Sequence, residues 1–542
     1  MSGGLDVTWS PSANLEVLGD ASRPVVACGV LHGPLRQAAL REAGAPALGT
    51  AARRSDGSFA VAFTRGDAVI VVTDASGSTP VYAGRGPRGF AVGSRTDRVA
   101  AACGATAVDE VSVADYLLHG AVCHPYTWFE AVRVLPPGSV VTVTASRTTE
   151  HAYWEPHESG VVCEREADPR EWGRALRDAV STAVILGLRG ARSVRVLYSG
   201  GEDSRVVASL LPDDLSVILT TVLDGANREY RLARRAATRL GLAFELVERP
   251  PDYYATCLAD RVRRIDPGMD VADVQIFGEV AQRLGGVDLL VGGFEADALF
   301  KSAYVHNVRR TRFLPERLLP PSPDVFTGLT QDFDADELSM PLADLVRERH
   351  LAHHDRLRRV RPLTAGNWHL LWPFGLHSTA YSHYTACRTL GPRNIEPFLS
   401  HRVYMLAAAM PDACRMERVA FRHAFAGDVG AAGWLSSTNG RRMRLGTRSG
   451  AAAARADLIW RHRWDRVTGQ AGRQGPWGVG RSQVDVATLV GRAGVDLVVD
   501  RVAPLLARHD ARAFVTDPGL NARVKVRLAT LAFEHPAASD SP

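Results

Sequence analysis

Lysine is all but missing from this chain of 542 residues: of its 64 basic residues only Lys301 and Lys525 are lysine, and the rest are arginine. Coding drift in a GC-rich genome produces such a bias. A lysine that survives it becomes a candidate for work arginine cannot do, because only lysine loses its proton readily. Cysteine is scarce as well. Cys28, Cys103, Cys123, Cys163, Cys257, Cys387 and Cys414 contain no Cys-x-x-Cys spacing, which fits reduced thiols and argues against an iron–sulfur protein. No apolar run is long enough to span a bilayer, and Met1-Ser2-Gly3-Gly4-Leu5-Asp6 lacks the basic-then-apolar order of a secretion signal. A cytoplasmic protein with no membrane partner is therefore expected. Net charge is only +5 and evenly spread, so no nucleic-acid partner is expected. Hydrophobic content of 46% and charged content of 23% are ordinary for a soluble globular protein, and the length allows two or three domains.

What is present is concentrated in Val194-Arg195-Val196-Leu197-Tyr198-Ser199-Gly200-Gly201-Glu202-Asp203-Ser204. An apolar run ends in Ser-Gly-Gly-x-Asp-Ser, and a helix-like segment follows. Paired glycines let backbone N–H groups approach an anion, and the helix turns its positive end toward it. Leu197 closes the strand, Ser199 and Ser204 can donate to phosphate oxygens, and Asp203 offers a hard ligand for Mg²⁺. An ordinary strand–turn–helix would use glycines in the same way. No Gly-x-x-x-x-Gly-Lys-Ser/Thr occurs, which argues against a P-loop kinase or GTPase. Leu290-Val291-Gly292-Gly293-Phe294-Glu295-Ala296-Asp297-Ala298-Leu299-Phe300 repeats the theme, a strand running into a glycine loop that bears an acid. Two carboxylates from separate loops can hold one cation and steady a leaving pyrophosphate; Asp297 could equally cap a helix. Lys301 follows within one turn, placed to contact phosphate.

Residues from about 15 to 150 read as β-rich, with strand-like runs at Phe59–Phe63, Ala68–Val72 and Val140–Val143. The charged stretch Glu164 to Arg170 reads as a linker. From Trp172 the pattern alternates: helix over Trp172–Leu188, strand over Val194–Tyr198, a helical face of Val206, Val207, Leu210 and Leu211 stopped at Pro212, strand over Leu215–Leu223, helix over Arg228–Leu240 stopped by Gly241, and strand over Val287–Val291. Such alternation implies a parallel, doubly wound sheet with ligands at the carboxyl ends of its strands. Beyond about residue 340 the pattern is mostly helical.

Ser199-Gly200-Gly201-Glu202-Asp203-Ser204 is the signature of the ATP-pyrophosphatase group, and downstream features resemble the asparagine synthetase family. Asp297 falls where the family's Gly-x-Gly-x-Asp-Glu-x-Phe loop places its Mg²⁺-binding aspartate, with Ala298 in place of the usual glutamate. Asp56-Gly57-Ser58-Phe59-Ala60, Asp74-Ala75-Ser76-Gly77, Pro80-Val81-Tyr82 and Phe90-Ala91-Val92-Gly93-Ser94 are similar, in order, to phrases of that family's amino-terminal glutaminase domain; Leu135-Pro136-Pro137-Gly138 and Tyr153-Trp154 resemble its closing segment. The resemblance implies an α/β chain: a glutaminase-like (Ntn-type) β-rich α+β sandwich over 1–160, an ATP-pyrophosphatase domain with a helical carboxyl-terminal part over 170–534, and a disordered tail over 535–542. It also implies the cofactors ATP and Mg²⁺, with Leu197, Ser199, Gly200, Gly201, Asp203, Ser204 and Gly293 on the nucleotide and Asp203 and Asp297 on the metal.

The acceptor side departs from the family. Arg393-Asn394-Ile395-Glu396-Pro397-Phe398-Leu399-Ser400 keeps Pro-Phe-Leu of the family's Glu-x-Arg-x-Pro-Phe-Leu-Asp, with Arg393 for the glutamate and Ser400 for the aspartate. Glu396 is then the candidate carboxylate for the attacking amine, and His383 and Tyr384 stand where the family has an aspartate upstream; either could also be a packed aromatic. The family's late-loop lysine has no counterpart between Lys301 and Lys525, which leaves Lys301 or Arg441, with Arg442, after a helix expected over Met416–Phe425. The family's glutaminase nucleophile is a cysteine at position two; Ser2 occupies it here, a poorer nucleophile without an activating base. An inactive glutaminase beside an adenylating site points to an ATP-dependent, AMP-forming carbon–nitrogen ligase of the lactam-forming branch. A lasso-peptide macrolactam cyclase is expected, acting on a peptide or small-molecule carboxylate and amine, with a precursor peptide and its protease as partners. The aromatic and basic run Ile459–Trp464 could serve a peptide acceptor, though such a run is more often a helix face. Asparagine synthase, β-lactam synthetase and a non-catalytic nucleotide-binding partner protein are the alternatives.

Overall fold

Strict alternation of side chains builds the amino-terminal half. A computed structural model describes residues 4–8, 15–18, 24–159, 167–301, 303–305, 329, 331–376, 378–468, 484–507 and 510–533. Ten strands come first: β1 Gly4–Thr8, β2 Leu15–Leu18, β3 Val25–His32, β4 Asp56–Arg65, β5 Ala68–Thr73, β6 Tyr82–Gly86, β7 Gly89–Gly93, β8 Val132–Val134, β9 Ser139–Val143 and β10 Thr148–Ala152. They form a four-stranded sheet in the order β1–β7–β6–β8 and a six-stranded sheet in the order β10–β9–β5–β4–β3–β2. Ala60, Ala62, Val69, Val71, Val141 and Val143 of the larger sheet meet Ala83, Phe90 and Val92 of the smaller in one buried layer. Their sequence neighbours Phe59, Val61, Phe63, Ile70 and Val72 point the other way, into the main core. Helices Ala45–Arg53, Pro169–Gly187 and His401–Ala409 cover that outer face, and Thr96–Cys103 covers the smaller sheet. The result is a helix–sheet–sheet–helix stack, part of whose cover comes from the second half of the chain.

Five further strands, β11 Ser193–Leu197, β12 Ser216–Leu223, β13 Ala243–Glu248, β14 Leu289–Val291 and β15 Arg393–Ile395, form a sheet in the order β13–β12–β11–β14–β15. Every pairing is parallel. Val194 and Val196 of the central strand are fully buried, as burial on both faces requires. Chain order reverses between β11 and β14, the point at which doubly wound sheets open a crevice. The helix expected over Arg228–Leu240 spans those residues; Asn227 caps it by accepting from the Tyr230 N–H, and Gly241 ends it at φ +72°.

Two expected features differ. The stretch Glu164–Arg170 is not linker throughout, because Asp168 accepts from the Arg170 N–H and Pro169 opens the helix Pro169–Gly187. The helix expected over Met416–Phe425 is broken: Glu417 and Arg418 take left-handed backbone (φ +54° and +60°), and only Val419–Phe425 is α-helical. That break turns the buried Arg418 side chain onto Glu202. Ser2, Cys163, residues 164–166 and the tail 535–542 lie outside the described residues. Ile459 and Trp460 are exposed on the helix Thr447–Thr468. Among the described residues no helix is long and apolar enough to cross a membrane.

Candidate functional site

The loops after β11 and β14 lean on each other, and glycine makes this possible. Gly200 stands at φ +70°, and a Cβ there would come within 2.6 Å of the Ala233 backbone. Gly201 then caps the helix Glu202–Ser209. Its N–H donates to Ser199 Oγ at 3.2 Å, while Ser204 Oγ donates to the Gly201 carbonyl at 3.3 Å. From the facing loop, Gly293 lies so near that a Cβ would meet the Asp203 and Ser204 backbone at 3.3 Å. Glu295, in left-handed backbone at φ +71°, starts the short helix Ala296–Phe300.

This juxtaposition sets Asp203 and Asp297 on one cationic centre. Lys301 Nζ lies 2.5 Å from Asp203 Oδ1 and in contact with Asp297 Oδ1, four residues before it. The same ammonium is 4.0 Å from Glu202 Oε2 and lies 5.1 Å from the centroid of the Phe421 ring. Burial works against the charge on Lys301, and the two carboxylates outweigh it, holding its pKa above the ordinary lysine value. Burial pushes the Asp203 carboxyl up; Lys301 pulls it down and Asp297 pushes it further up. The other lysine, Lys525, is also buried, and it donates to the Pro518 carbonyl at 2.8 Å.

Around this centre opens a cleft of about 1590 Å³ lined by Leu197, Ser199, Asp203, Ser204, Gly293 and Asp297. The sequence reading missed several other lining residues: Thr220, Thr221 and Val222 at the end of β12, Glu229, Asp273, Gln275 and Arg523. Burial lifts Glu229 to about 7 despite Arg249 and Arg228. Arg523 pairs with Asp273 at 2.9 Å. Only Thr220–Val222 and Glu229 had a local signal, at and just after the carboxyl end of a strand; Asp273, Gln275 and Arg523 come from elements that no glycine motif or strand end marks.

The acceptor-side candidates separate. His383 lines the cleft, its ring 4.5 Å from that of Phe294, and burial lowers it to about 4. Tyr384 is instead core, edge-on to Phe374. Glu396 does not face the cleft. It is 2% exposed and sits behind Gly292, where a Cβ would overlap its carboxylate; it accepts from the Phe294 N–H at 3.1 Å. Burial raises it to about 8, and it borders a separate cavity of about 330 Å³ with His32, Asp56, Ser58 and Ser400. Its contacts brace the Gly292–Phe294 turn rather than reach a substrate. Arg393 also lies away, on the edge strand, donating to the Arg189 carbonyl at 2.9 Å. Ser400 bonds Asp56, whose Oδ1 also accepts from the Arg402 N–H at 3.1 Å. Arg441 is exposed and outside the cleft lining; Arg523 is the arginine that lines the cleft, and Arg418 pairs with Glu202 beside Lys301. Burial, with Arg441 and Arg422 nearby, lowers Arg418 to about 9.

Residues 38–154 match the glutamine amidotransferase domain family, so the amino-terminal half carries a glutamine-amidotransferase-like domain. Residues 192–264, which hold the Ser199–Ser204 loop, match a family of unknown function. No curated protein matches. Two solved structures are similar in part. The allosteric regulatory enzyme of purine biosynthesis aligns at 10% identity and TM-score 0.18, over 44% of this chain and 63% of that one. The glutamine phosphoribosylpyrophosphate amidotransferase from B. subtilis aligns at 11% identity and TM-score 0.16, over 42% of this chain and 46% of that one. The chain thus spans less than two thirds of either.

Proposed function

We propose that this chain is an ATP-dependent ligase that adenylates a carboxylate, releases pyrophosphate and lets an amine attack, as an asparagine-synthetase-like macrolactam cyclase of the lasso-peptide type. The observation that carries this reading is the meeting of Asp203 and Asp297, from two glycine turns at the reversal of a parallel sheet, on the Lys301 ammonium. The donor set suits a hard divalent cation such as Mg²⁺, because carboxylate oxygens are its preferred ligands. Asp203 and Asp297 would hold the ion, which would supply charge neutralisation on the triphosphate. The Ser199–Ser204 turn would receive phosphate oxygens at a helix N-terminus, with Ser199 and Ser204 as hydroxyl donors. Lys301, held protonated, would balance charge growing on the leaving pyrophosphate. The cleft beyond Phe294 would admit the acceptor, and the His383 imidazole that lines it, kept neutral by burial, would accept a hydrogen bond from the attacking amine. A peptide carboxylate and amine would be the substrates, and a precursor peptide with its protease would supply them.

The amidotransferase match favours a second reading, in which the amine is ammonia from glutamine, as in asparagine synthase. Residue 2 lies outside the matched segment, and on the family resemblance Ser2 would take the place of the glutaminase thiol. Glutamine hydrolysis that disappears in Ser2→Ala would establish this reading and remove the first.

Pyrophosphate release from ATP, measured with Mg²⁺ and an acceptor peptide, tests the proposal. Asp203→Asn and Asp297→Asn are each expected to abolish AMP formation with unchanged circular dichroism. Full turnover in either variant would refute the role given to the pair, and ATP binding without turnover in the wild type would leave a nucleotide-binding partner protein.

A further inference from the structure

Away from the cleft, six of the chain's 17 histidines gather in one buried patch: His119, His124, His350, His353, His354 and His369 are linked by ring contacts of 4.8–6.4 Å. At its centre Asp115 and His119, one turn apart on the helix Glu110–His119, face His350 of the helix Met340–Arg358. Asp115 Oδ1 lies 2.7 Å from His119 Nδ1 and 2.9 Å from His350 Nε2, and the three ligand atoms lie within 4.8 Å of one another. Side-chain exposure is 1% for Asp115, 6% for His119 and 3% for His350.

We infer that Asp115, His119 and His350 form a binding site for a zinc-class divalent ion that staples the amidotransferase-like domain to the carboxyl-terminal helices. Imidazole and carboxylate donors suit Zn²⁺, and neighbouring ligands around a tetrahedral Zn²⁺ stand about 3.3 Å apart. Small side-chain rotations reach that spacing from the hydrogen-bonded edges. The surrounding contacts are those a metal site needs around its ligands. Asp115 Oδ2 accepts from the Cys123 N–H at 2.8 Å, which fixes the carboxylate. His350 Nδ1 lies 3.0 Å from His369 Nε2, so that with Nε2 on the ion its other N–H has an acceptor. His353 Nε2 lies 2.9 Å from the Trp372 carbonyl, and that bond holds the patch against a second element. The neighbouring Arg349 pairs with Asp109, the N-cap of the helix Glu110–His119, at 2.7 Å and stacks on Tyr126 at 3.7 Å, clamping the same two helices. Ion binding exchanges the protons on the two Asp115 edges for the cation. The site is distinct from the nucleotide cleft and does not depend on the function proposed above.

Metal analysis of the full chain by plasma mass spectrometry, as purified and after dialysis against Zn²⁺, tests the inference. One zinc per chain is expected in the wild type, falling at least about tenfold in His119→Gln and His350→Gln, since losing a ligand costs no less than losing one of the contacts that orient it. Loading with Co²⁺ should give a visible d–d spectrum that His119→Gln lacks, and chelation should lower the melting temperature of the wild type alone. His119 is the safer variant, since it lies at the end of its helix. A wild type that retains no zinc, shows no Co²⁺ spectrum and melts unchanged with chelator would overturn the inference and leave a hydrogen-bonded cluster. Equal zinc in the variants would overturn it as well.

Discussion

Replacing Lys301 by methionine keeps the length of the side chain and removes its charge, which tests whether the ammonium stands where a divalent cation would. In the wild type one cation serves Asp203, whose side chain is 18% exposed, and Asp297, whose side chain is 58% exposed. Breaking a buried ion pair costs about 3–5 kcal/mol. Solvent screens Asp297, so the lower end applies, about 3 kcal/mol. At roughly 2 °C per kcal/mol for a large domain, Lys301→Met should melt about 6 °C below the wild type. Two carboxylates left without a counter-charge then form a better cation site, and Mg²⁺ at about a hundred times its dissociation constant would restore about 2.7 kcal/mol. The wild type, already holding an ammonium there, should gain far less. Differential scanning fluorimetry at constant ionic strength, with and without MgCl₂, reads both effects. Pyrophosphate release should fall by about 10²-fold or more. Lys525→Arg is the control, since Lys525 only donates to a carbonyl; it should leave activity unchanged. If Lys301→Met melts with the wild type, or Mg²⁺ shifts both alike, the ammonium does not occupy a cation's place.

Two further outcomes follow from buried carboxyl groups. Glu396 is raised from 4.5 to about 8 in the folded chain, so it contributes stability that is complete below the unfolded value and is lost as pH rises through about 8. Glu396→Gln fixes the neutral form and should flatten the melting temperature between those limits, whereas an unchanged pH profile would show that Glu396 is not the group titrating. Ser400→Asp, which restores the family's acid, sets a carboxylate against Asp56 and should cost about 1–3 kcal/mol; Asp56→Asn in the same chain should recover most of it, and additive effects would refute the contact.

Where local signals suffice, the sequence was readable. Arg228–Leu240 carries its own period, its cap Asn227 and its stop Gly241, and all three act within a few residues. Asp203 and Asp297 were visible because each follows an apolar strand across paired glycines, and Lys301 because it is one of two lysines. β15 was missed. It has three residues, and its partner β14 lies about a hundred positions earlier, so no local pattern marks it. The break at Glu417 and Arg418 was missed for the same reason, since the Glu202 contact that accompanies it comes from a different helix. Glu396 was placed in the cleft on proximity to the Pro-Phe-Leu phrase. Its direction is set by Gly292, whose missing Cβ leaves room for a carboxylate behind the loop, and a spacing of residues along the chain carries no such information. The Asp115–His119–His350 cluster was invisible because its members come from two helices far apart in sequence.

Ser400 shows what a motif comparison loses. Against the family phrase it counts as a deleted acid, a mark against function. In the folded chain its hydroxyl bonds Asp56, the first residue of the Asp56-Gly57-Ser58 phrase, and Ser58 Oγ donates to the Leu399 carbonyl at 3.3 Å beside it. The Ala75 N–H meets His401 Nδ1 at 3.0 Å on the same face. The two phrases that resembled separate domains are therefore one interface. The acid there is supplied by the first half of the chain, and a second one at position 400 would repel it. A substitution judged on its own segment reads as loss; judged with the residue it touches, it is the complement of Asp56.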